Sequence, residues 1–425
     1  MATDPISARL AARNPMRIDL SLERVRALLA AVGNPHERLP PVVHVAGTNG
    51  KGSTVAFLRA MAEAAGLRVH VNTSPHLVRF NERIRLAGRL IEDAEIDAIL
   101  DRLEAVEAGV QATVFEMTTA AAFMAMAEVP ADLAIVEVGL GGRLDATNVV
   151  DPRLSVITPV DLDHAEFLGG ELAGVAGEKA GILKPGRPAV IARQHDAAMA
   201  VIEARAAEVG APLTVMGVDF DAWAERGGLA FQNQERFLDL SAPTLTGPHQ
   251  IANAGLAVAA ALELGLPEAA VAKGLRTASW PARMQRLTAG RYAEQAGEAE
   301  LWLDGGHNPH AAAAVREALM ALQSRDPRPT ALIVGMLSNK DAGGFFDALR
   351  GLDARVFTVA FEGACHDPNS LSDAARRSGF DAAPAATVEA ALDHARAHGA
   401  GRILICGSLY LAGEVLGASR ETWPT

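Results

Sequence analysis

Aromatic side chains are scarce in this chain of 425 residues, at 4%. A protein that grips single-stranded nucleic acid stacks bases on aromatic platforms, and few are available here. Basic residues are also in deficit, with 39 Lys and Arg against 51 Asp and Glu and a net charge of −12. Non-specific binding of a polyanion needs a broad basic surface, so this balance argues against it and leaves room only for small anions held by a local cluster. Cys365 and Cys406 are too few for a disulfide framework or a zinc site, and Cys406, within the apolar run 402–406, reads as a buried strand thiol. No apolar run approaches a bilayer span; the longest, such as 120–127, suits a buried helix, and the first twenty residues lack an apolar signal core. The expectation is a cytoplasmic protein with neither membrane nor nucleic acid as partner. Without an exposed apolar helix to suggest an obligate interface, a monomer is expected.

Hydrophobic residues make up 49% of the chain, enough for more than one core. Runs rich in β-branched residues at 42–46, 68–72, 132–138, 154–158 and 188–192 read as buried strands. Between several of them apolar residues recur at helical spacing, as at Val55, Leu58, Met61 and Ala65. That rhythm predicts a mostly parallel sheet covered on both faces. Over 212–246 the pieces shorten, which predicts an antiparallel appendage, and a helix is expected over 250–264. A second αβ series has strands at 300–303, 330–334, 355–359 and 402–406. Trp280-Pro281 breaks the helix before it, so the boundary is placed near 286. Two α/β domains, 1–285 and 286–425, with a cleft between them, are the expected architecture.

The strand at 42–46 runs into Gly47, Thr48, Asn49, Gly50, Lys51, Gly52 and Ser53, and a helix follows. Glycines let the backbone wrap an anion, so that its N–H groups and the helix N-terminus face phosphate oxygens. Lys51 is placed against the terminal phosphates, and Ser53 offers a hydroxyl to Mg²⁺. Val45 stands where a standard phosphate loop has its first glycine, making this a shortened relative. Glu137 ends an apolar strand at the sheet edge where ligands of parallel sheets bind, and a carboxylate there suits Mg²⁺. Ser74 and His164 also follow predicted strands directly. The glycine run after Glu137 is not a dinucleotide fingerprint, because Leu144 occupies its last small-residue position.

Several motifs occur in order. Residues 18–25, 46–53, 74–77 with 80–84, and 113–116 come first, followed by 137–148, Asp163-His164 with Leu168-Gly169, and 178–182. Residues 247–253, 280–283 and 304–309 complete the series. Together they resemble the dihydrofolate synthase/folylpolyglutamate synthase family, a branch of the Mur ligase superfamily, over nearly the whole chain. The resemblance implies a P-loop-type ATPase domain, mostly parallel, and a smaller Rossmann-like α/β domain. It also implies a ligase that joins L-glutamate to dihydropteroate and to reduced folates through an acyl phosphate. Thr48 to Ser53 would hold the phosphates of ATP, with Asn253, Arg283 and Asp304 as further ATP contacts. Ser74, Glu137 and His164 match magnesium positions. Lys179 matches a lysine the family carries as a carbamate, and a monovalent cation is a further candidate. Ile18, Asp19, Leu20 and Ser21, then Thr113, Val114, Phe115 and Glu116, then Leu144, Asp145 and Ala146 match positions lining a pterin pocket. Lys51, Lys179 and His307 are the catalytic candidates, with glutamate expected near His307 and Ser408.

Local readings stand beside these. Thr113-x-x-Glu116 is also a helix capping box, Asp19 or Ser21 is placed to cap a helix over 22–31, and Lys179 sits near the end of a helix stopped by residues 184–186. Gly306 and Ala282 depart from the family's usual alanine and glycine. Two alternatives lie close: folylpolyglutamate synthesis alone, or another Mur-type amino-acid ligase. A phosphate-loop switch without ligation is the rival from a different class.

Overall fold

The computed structural model describes residues 4–14, 20–106, 109–162 and 170–425. They form two compact units, one built from residues up to 244 with 251–279, the other from 245–250 with 280–424.

The first unit opens with α1 (Pro5–Arg13) and α2 (Glu23–Ala31), then β1 (Val42–Ala46), α3 (Lys51–Ala64) and β2 (Val69–Asn72). A short hairpin, β3 (Ile84–Leu86) and β4 (Arg89–Leu90), precedes α4 (Asp93–Val106), α5 (Val114–Glu128) and β5 (Leu133–Glu137). Next come β6 (Leu154–Ile157), α6 (Leu172–Ala180), β7 (Ala189–Ile191), α7 (Asp196–Val209) and β8 (Leu213–Val215). These strands make one sheet in the order β4-β3-β2-β5-β1-β6-β7-β8, in which β2 through β8 pair in parallel and the edge hairpin is antiparallel. Every residue of β1, β5 and β6 is buried. This is the pattern of strands sandwiched between helices, which therefore read as continuous apolar runs. One core joins α1, α2, α4 and α5 to Ala134 and Val136, and another joins α6 and α7 to Ile157, Ala189 and Ile191.

Strands β9 (Phe220–Glu225), β10 (Gly228–Asn233) and β11 (Phe237–Ser241) form the expected antiparallel appendage, a sheet of three. The appendage is smaller than the sequence pattern predicts, because residues 213–215 pair with β7 as the last parallel strand of the main sheet. Their three residues are too few for periodicity to distinguish the two. Helices α8 (His249–Glu263) and α9 (Glu268–Thr277) follow, and Gly274 lets α9 pack tightly on Met61 of α3.

The second unit begins with β12 (Gln285–Leu287), α10 (Arg291–Ala296), β13 (Glu300–Leu303) and α11 (Pro309–Arg325). It continues with β14 (Thr330–Val334), α12 (Ala342–Ala348), β15 (Ala354–Thr358) and α13 (Pro368–Arg377). The series ends with β16 (Asp381–Pro384), α14 (Val388–Ala397), β17 (Arg402–Cys406) and α15 (Leu409–Gly417). The sheet order is β12-β13-β17-β14-β15-β16, parallel except for β12. Cys406 is a buried strand thiol whose pKa burial pushes up. Both units are thus α/β, and among the described residues no helix is long and apolar enough to cross a membrane.

Candidate active site

Strands β2, β5, β1 and β6 lie side by side and parallel, so the loops leaving their carboxyl ends gather at one edge. Ser74 follows β2, Glu137 ends β5, Gly47 to Ser53 follow β1, and Asp161 follows β6. The phosphate loop is stitched to the exit of β6. The Thr48 N–H donates to the Pro159 carbonyl (2.9 Å), and its hydroxyl donates to the Asp161 carbonyl (2.9 Å) while accepting from the Asp161 N–H (3.0 Å). The Asn49 N–H points at the same Pro159 oxygen at 3.4 Å. Gly50 has φ +88°, and a Cβ there would lie 2.5 Å from Asn253 Oδ1. Only glycine fits, and its bareness brings the Asn253 amide against the loop.

Two ammonium groups converge on this loop. Lys51, the first residue of α3, donates from Nζ to the carbonyls of Gly47 (3.0 Å) and Thr48 (3.3 Å). Lys179, in the last turn of α6 and buried, donates from Nζ to the same Gly47 oxygen at 2.9 Å. Helix α6 stops at Ala180 on Gly181, earlier than residues 184–186 would have stopped it, and Lys179 keeps its place near the end.

Glu137 is 5% exposed and stands in register with Val45, the residue two positions before Gly47. Ser53 is buried in the first turn of α3 beside Gly52. Ser74 is half-buried and joined to Pro75 by a cis peptide bond. His164 lies outside the described residues. Among the described residues no three His, Cys, Asp or Glu side chains form a metal-sized cluster. What the edge does offer is a buried carboxylate and a buried hydroxyl beside a helix N-terminus. That hard-oxygen set fits Mg²⁺, which takes few protein ligands and completes its shell with phosphates and water.

Residues Thr113 to Glu116 stand at the start of α5. Thr113 and Glu116 form both halves of the capping box. The Thr113 side chain accepts from the Glu116 N–H (3.3 Å), and the Glu116 carboxylate accepts from the Thr113 N–H (2.7 Å). Glu116 also pairs with Arg24 of α2, whose Nη2 and Nε lie 3.0 and 3.1 Å from its two oxygens. Arg24 has no signal in its own segment, because its partner is 92 residues away. Val114 is half-buried, and the Phe115 ring lies so close over Gly139 that a Cβ there would overlap it.

Asp145 is 2% exposed, and its carboxylate accepts from the Leu140 N–H (2.8 Å), the Thr147 N–H (2.9 Å) and the Thr147 hydroxyl. Burial raises its pKa while these donors oppose the shift. The side chain therefore organises its own loop, with half-buried Leu144 and buried Ala146 on either side. The same loop is fixed to α6: the Arg143 N–H donates to the Glu178 carbonyl (2.7 Å), and the Asn148 amide donates to Arg143 and Gly181 carbonyls. Helix α6 thus ties the 139–148 loop to the phosphate loop through Lys179.

Ser21 is not found in the capping role expected of Asp19 or Ser21. The serine donates its hydroxyl to Glu23, and α2 starts after Leu22 without a side-chain cap. Leu20 is half-buried, and Ile18 and Asp19 lie outside the described residues.

In the second unit Asp304 follows β13 and is buried. Its oxygens accept from the Met284 N–H (2.8 Å) and the Gly306 N–H (2.7 Å). Arg283 donates to the Ala282 carbonyl. Ala282 has φ +52°, a conformation that costs an L-residue about 1 kcal/mol and explains why glycine is usual there. At Gly306 a Cβ would lie 2.8 Å from Asp304 Oδ1, so the glycine suits this carboxylate's position. The half-buried His307 ring nitrogen Nδ1 is 3.0 Å from the Gly305 carbonyl, and Ser408 is the buried N-cap of α15.

Two histidines near the first unit's site give a testable pH dependence. Burial, helped by the Lys184 charge, pushes His44 down to about 3; burial and Arg83 push His76 down to about 4. The unfolded chain protonates these rings below about pH 6.5, whereas the folded chain resists. Their contribution to stability is whole above pH 6.5 and is lost as pH falls toward 4. Thermal unfolding from pH 8 to 4 should show a steeper acid decline for the wild type than for H44Q. Equal slopes would refute this role.

A sheet edge with a shortened phosphate loop, a buried carboxylate and two converging lysines, in a chain that also carries a second α/β unit, defines an ATP-dependent amide-forming ligase of the Mur type. The family model described as "Mur ligase middle domain" matches residues 45–261, and that described as "Dihydrofolate synthetase, C-terminal domain" matches 286–418. The chain belongs to the dihydrofolate synthase/folylpolyglutamate synthase family of the Mur ligase superfamily. It is 33% identical over 418 residues to folylpolyglutamate synthase of Lacticaseibacillus casei, covering 92% of each chain. Its fold is similar to Escherichia coli FolC in complex with DHPP and ADP, at a TM-score of 0.86 and 31% identity, over 98% of this chain and 97% of that one. It is equally similar to the bifunctional folylpolyglutamate synthase/dihydrofolate synthase of Yersinia pestis complexed with AMPPNP and Mn ion. There the TM-score is 0.86 and the identity 33%, over 98% of each chain.

Proposed function

We propose that this chain joins L-glutamate both to dihydropteroate, giving dihydrofolate, and to reduced folates, giving polyglutamates, as a cytoplasmic monomer. The observation that carries the reading is the bridge made by α6, which holds Lys179 against Gly47 and the 139–148 loop against its own C-terminus. ATP binding and acceptor binding are thereby built on one support.

In this reading the 47–53 loop and Asn253 hold ATP, with Arg283 and Asp304 as further contacts. Residues 18–21, 113–116 and 144–146 hold the pterin. An acceptor carboxylate oxygen attacks the γ-phosphorus, the bond to the bridging oxygen of ADP breaks, and an acyl phosphate forms. The amine of glutamate, held near His307 and Ser408, attacks the acyl carbon. The carbon–oxygen bond to phosphate then breaks, the amine gives up its proton, and the amide, ADP and phosphate remain. Lys51 follows the charge of the transferring phosphoryl group as a fixed cation. Mg²⁺ on Ser53, Ser74, Glu137 and His164 would neutralise phosphate charge when bound. Lys179 donates to Gly47, a bond that the N–H of a carbamate retains, and the carbamate's negative charge would then support the metal site. A monovalent cation is a further candidate at the same edge.

The test is incubation with Mg²⁺, ATP and labelled glutamate, with dihydropteroate and tetrahydrofolate in separate tubes. A glutamate mass increment in both, with ADP formed in step, is expected. An increment with tetrahydrofolate alone establishes the monofunctional enzyme instead. ATP turnover indifferent to both acceptors overturns the assignment.

A further inference from the structure

Strand β1 carries a histidine in its middle, His44, fully buried between β5 and β6. Its Nε2 lies 2.9 Å from the Thr147 hydroxyl, and that hydroxyl contacts Asp145 Oδ1. The directions of these bonds follow from counting protons. Asp145 also accepts N–H groups from Leu140 and Thr147, the surroundings of an ionised carboxylate, so the single hydroxyl proton of Thr147 points to it. The hydroxyl is then an acceptor toward His44, and the ring's one proton sits on Nε2. Nδ1 is left as a buried lone pair, in keeping with its having no hydrogen-bond partner.

We infer that His44 and Thr147 are positioning residues for acceptor binding, forming a one-way chain from the phosphate-loop strand through Thr147 to Asp145. The inference rests on the reading that residues 144–146 line the acceptor pocket. The chain does for the loop what backbone amides alone do not. Leu140 and Thr147 N–H groups belong to the loop and move with it, whereas His44 belongs to the rigid central strand three residues before Gly47. A carboxylate held only by its own loop can shift with the loop. One held through Thr147 to β1 keeps a fixed distance from the phosphate loop, and the acceptor with it. Buried networks of this kind orient groups when every donor and acceptor direction agrees.

The test compares Thr147→Val, which keeps shape and removes the hydroxyl, with Thr147→Ser, which keeps the hydroxyl, and with His44→Leu. Thr147→Val and His44→Leu should each raise KM for dihydropteroate about tenfold, the loss of roughly one buried hydrogen bond, with KM for ATP within about twofold of wild type. Thr147→Ser should restore the wild-type value, and the double variant should lose no more than either single one. If valine at 147 prevents folding, His44→Leu carries the test from the other end. An unchanged KM for dihydropteroate with a lowered melting temperature, or KM values for all substrates moving together, overturns the positioning role alone. A wild-type enzyme that binds no pterin overturns the pocket reading and this inference with it.

Discussion

Replacing Lys51 by methionine is expected to lower kcat by about 10³-fold, the upper part of the range for removing a fixed charge-stabilising donor. The phosphoryl group leaves ATP carrying negative charge that the acceptor carboxylate, itself an anion, must approach. A cation fixed at the start of α3 reduces that repulsion in the transition state more than in the ground state, so kcat falls further than ATP affinity does. Structurally the substitution is mild. Methionine keeps most of the stem and loses two hydrogen bonds, to Gly47 and Thr48 carbonyls, each contributing about 1 kcal/mol. Lys51→Arg should fall well short of wild type, because a planar fork does not replace a compact ammonium in a loop this tight. Steady-state kinetics with thermal unfolding measured in parallel checks both statements. A methionine variant with kcat within about tenfold of wild type would remove Lys51 from the chemistry.

Glu137→Gln should cost about 10²-fold or more in activity, with most of the loss expressed as a raised requirement for divalent metal. Glutamine keeps the volume of this buried side chain and its acceptor oxygen while removing the charge. The thermal shift that metal and a nonhydrolysable ATP analogue together induce in wild type should shrink in the variant, while the shift from nucleotide alone persists. Loss of both shifts together would mean that Glu137 shapes the loop and does not hold the metal.

The parts of this site legible in the sequence are those whose signal is local. The phosphate loop is a contiguous glycine-lysine-serine run after a buried strand, and Glu137 is a carboxylate ending an apolar strand. The Thr113–Glu116 box has its two halves three residues apart, and all of these stand where their patterns place them. The strands at 42–46, 300–303 and 402–406 are legible for the related reason that parallel strands buried on both faces are continuous apolar runs. The β3–β4 hairpin, β12 and β16 are not, being two to four residues long, too short for a periodic pattern to show. Lys179, Arg24 and Thr147 carry no local signal, since what makes each matter is a partner more than ninety residues away. The family resemblance singles out Lys179, whereas Arg24 and Thr147 stand out only through their contacts in the fold.

The most direct measurement is isotopic. With dihydropteroate labelled by ¹⁸O in both carboxylate oxygens, attack of that carboxylate on ATP carries one labelled oxygen into inorganic phosphate and leaves the other in the new amide. The expected result is phosphate bearing a single ¹⁸O for every glutamate joined. Unlabelled phosphate formed alongside the same amide would show that the carboxylate is not activated by phosphoryl transfer at this loop.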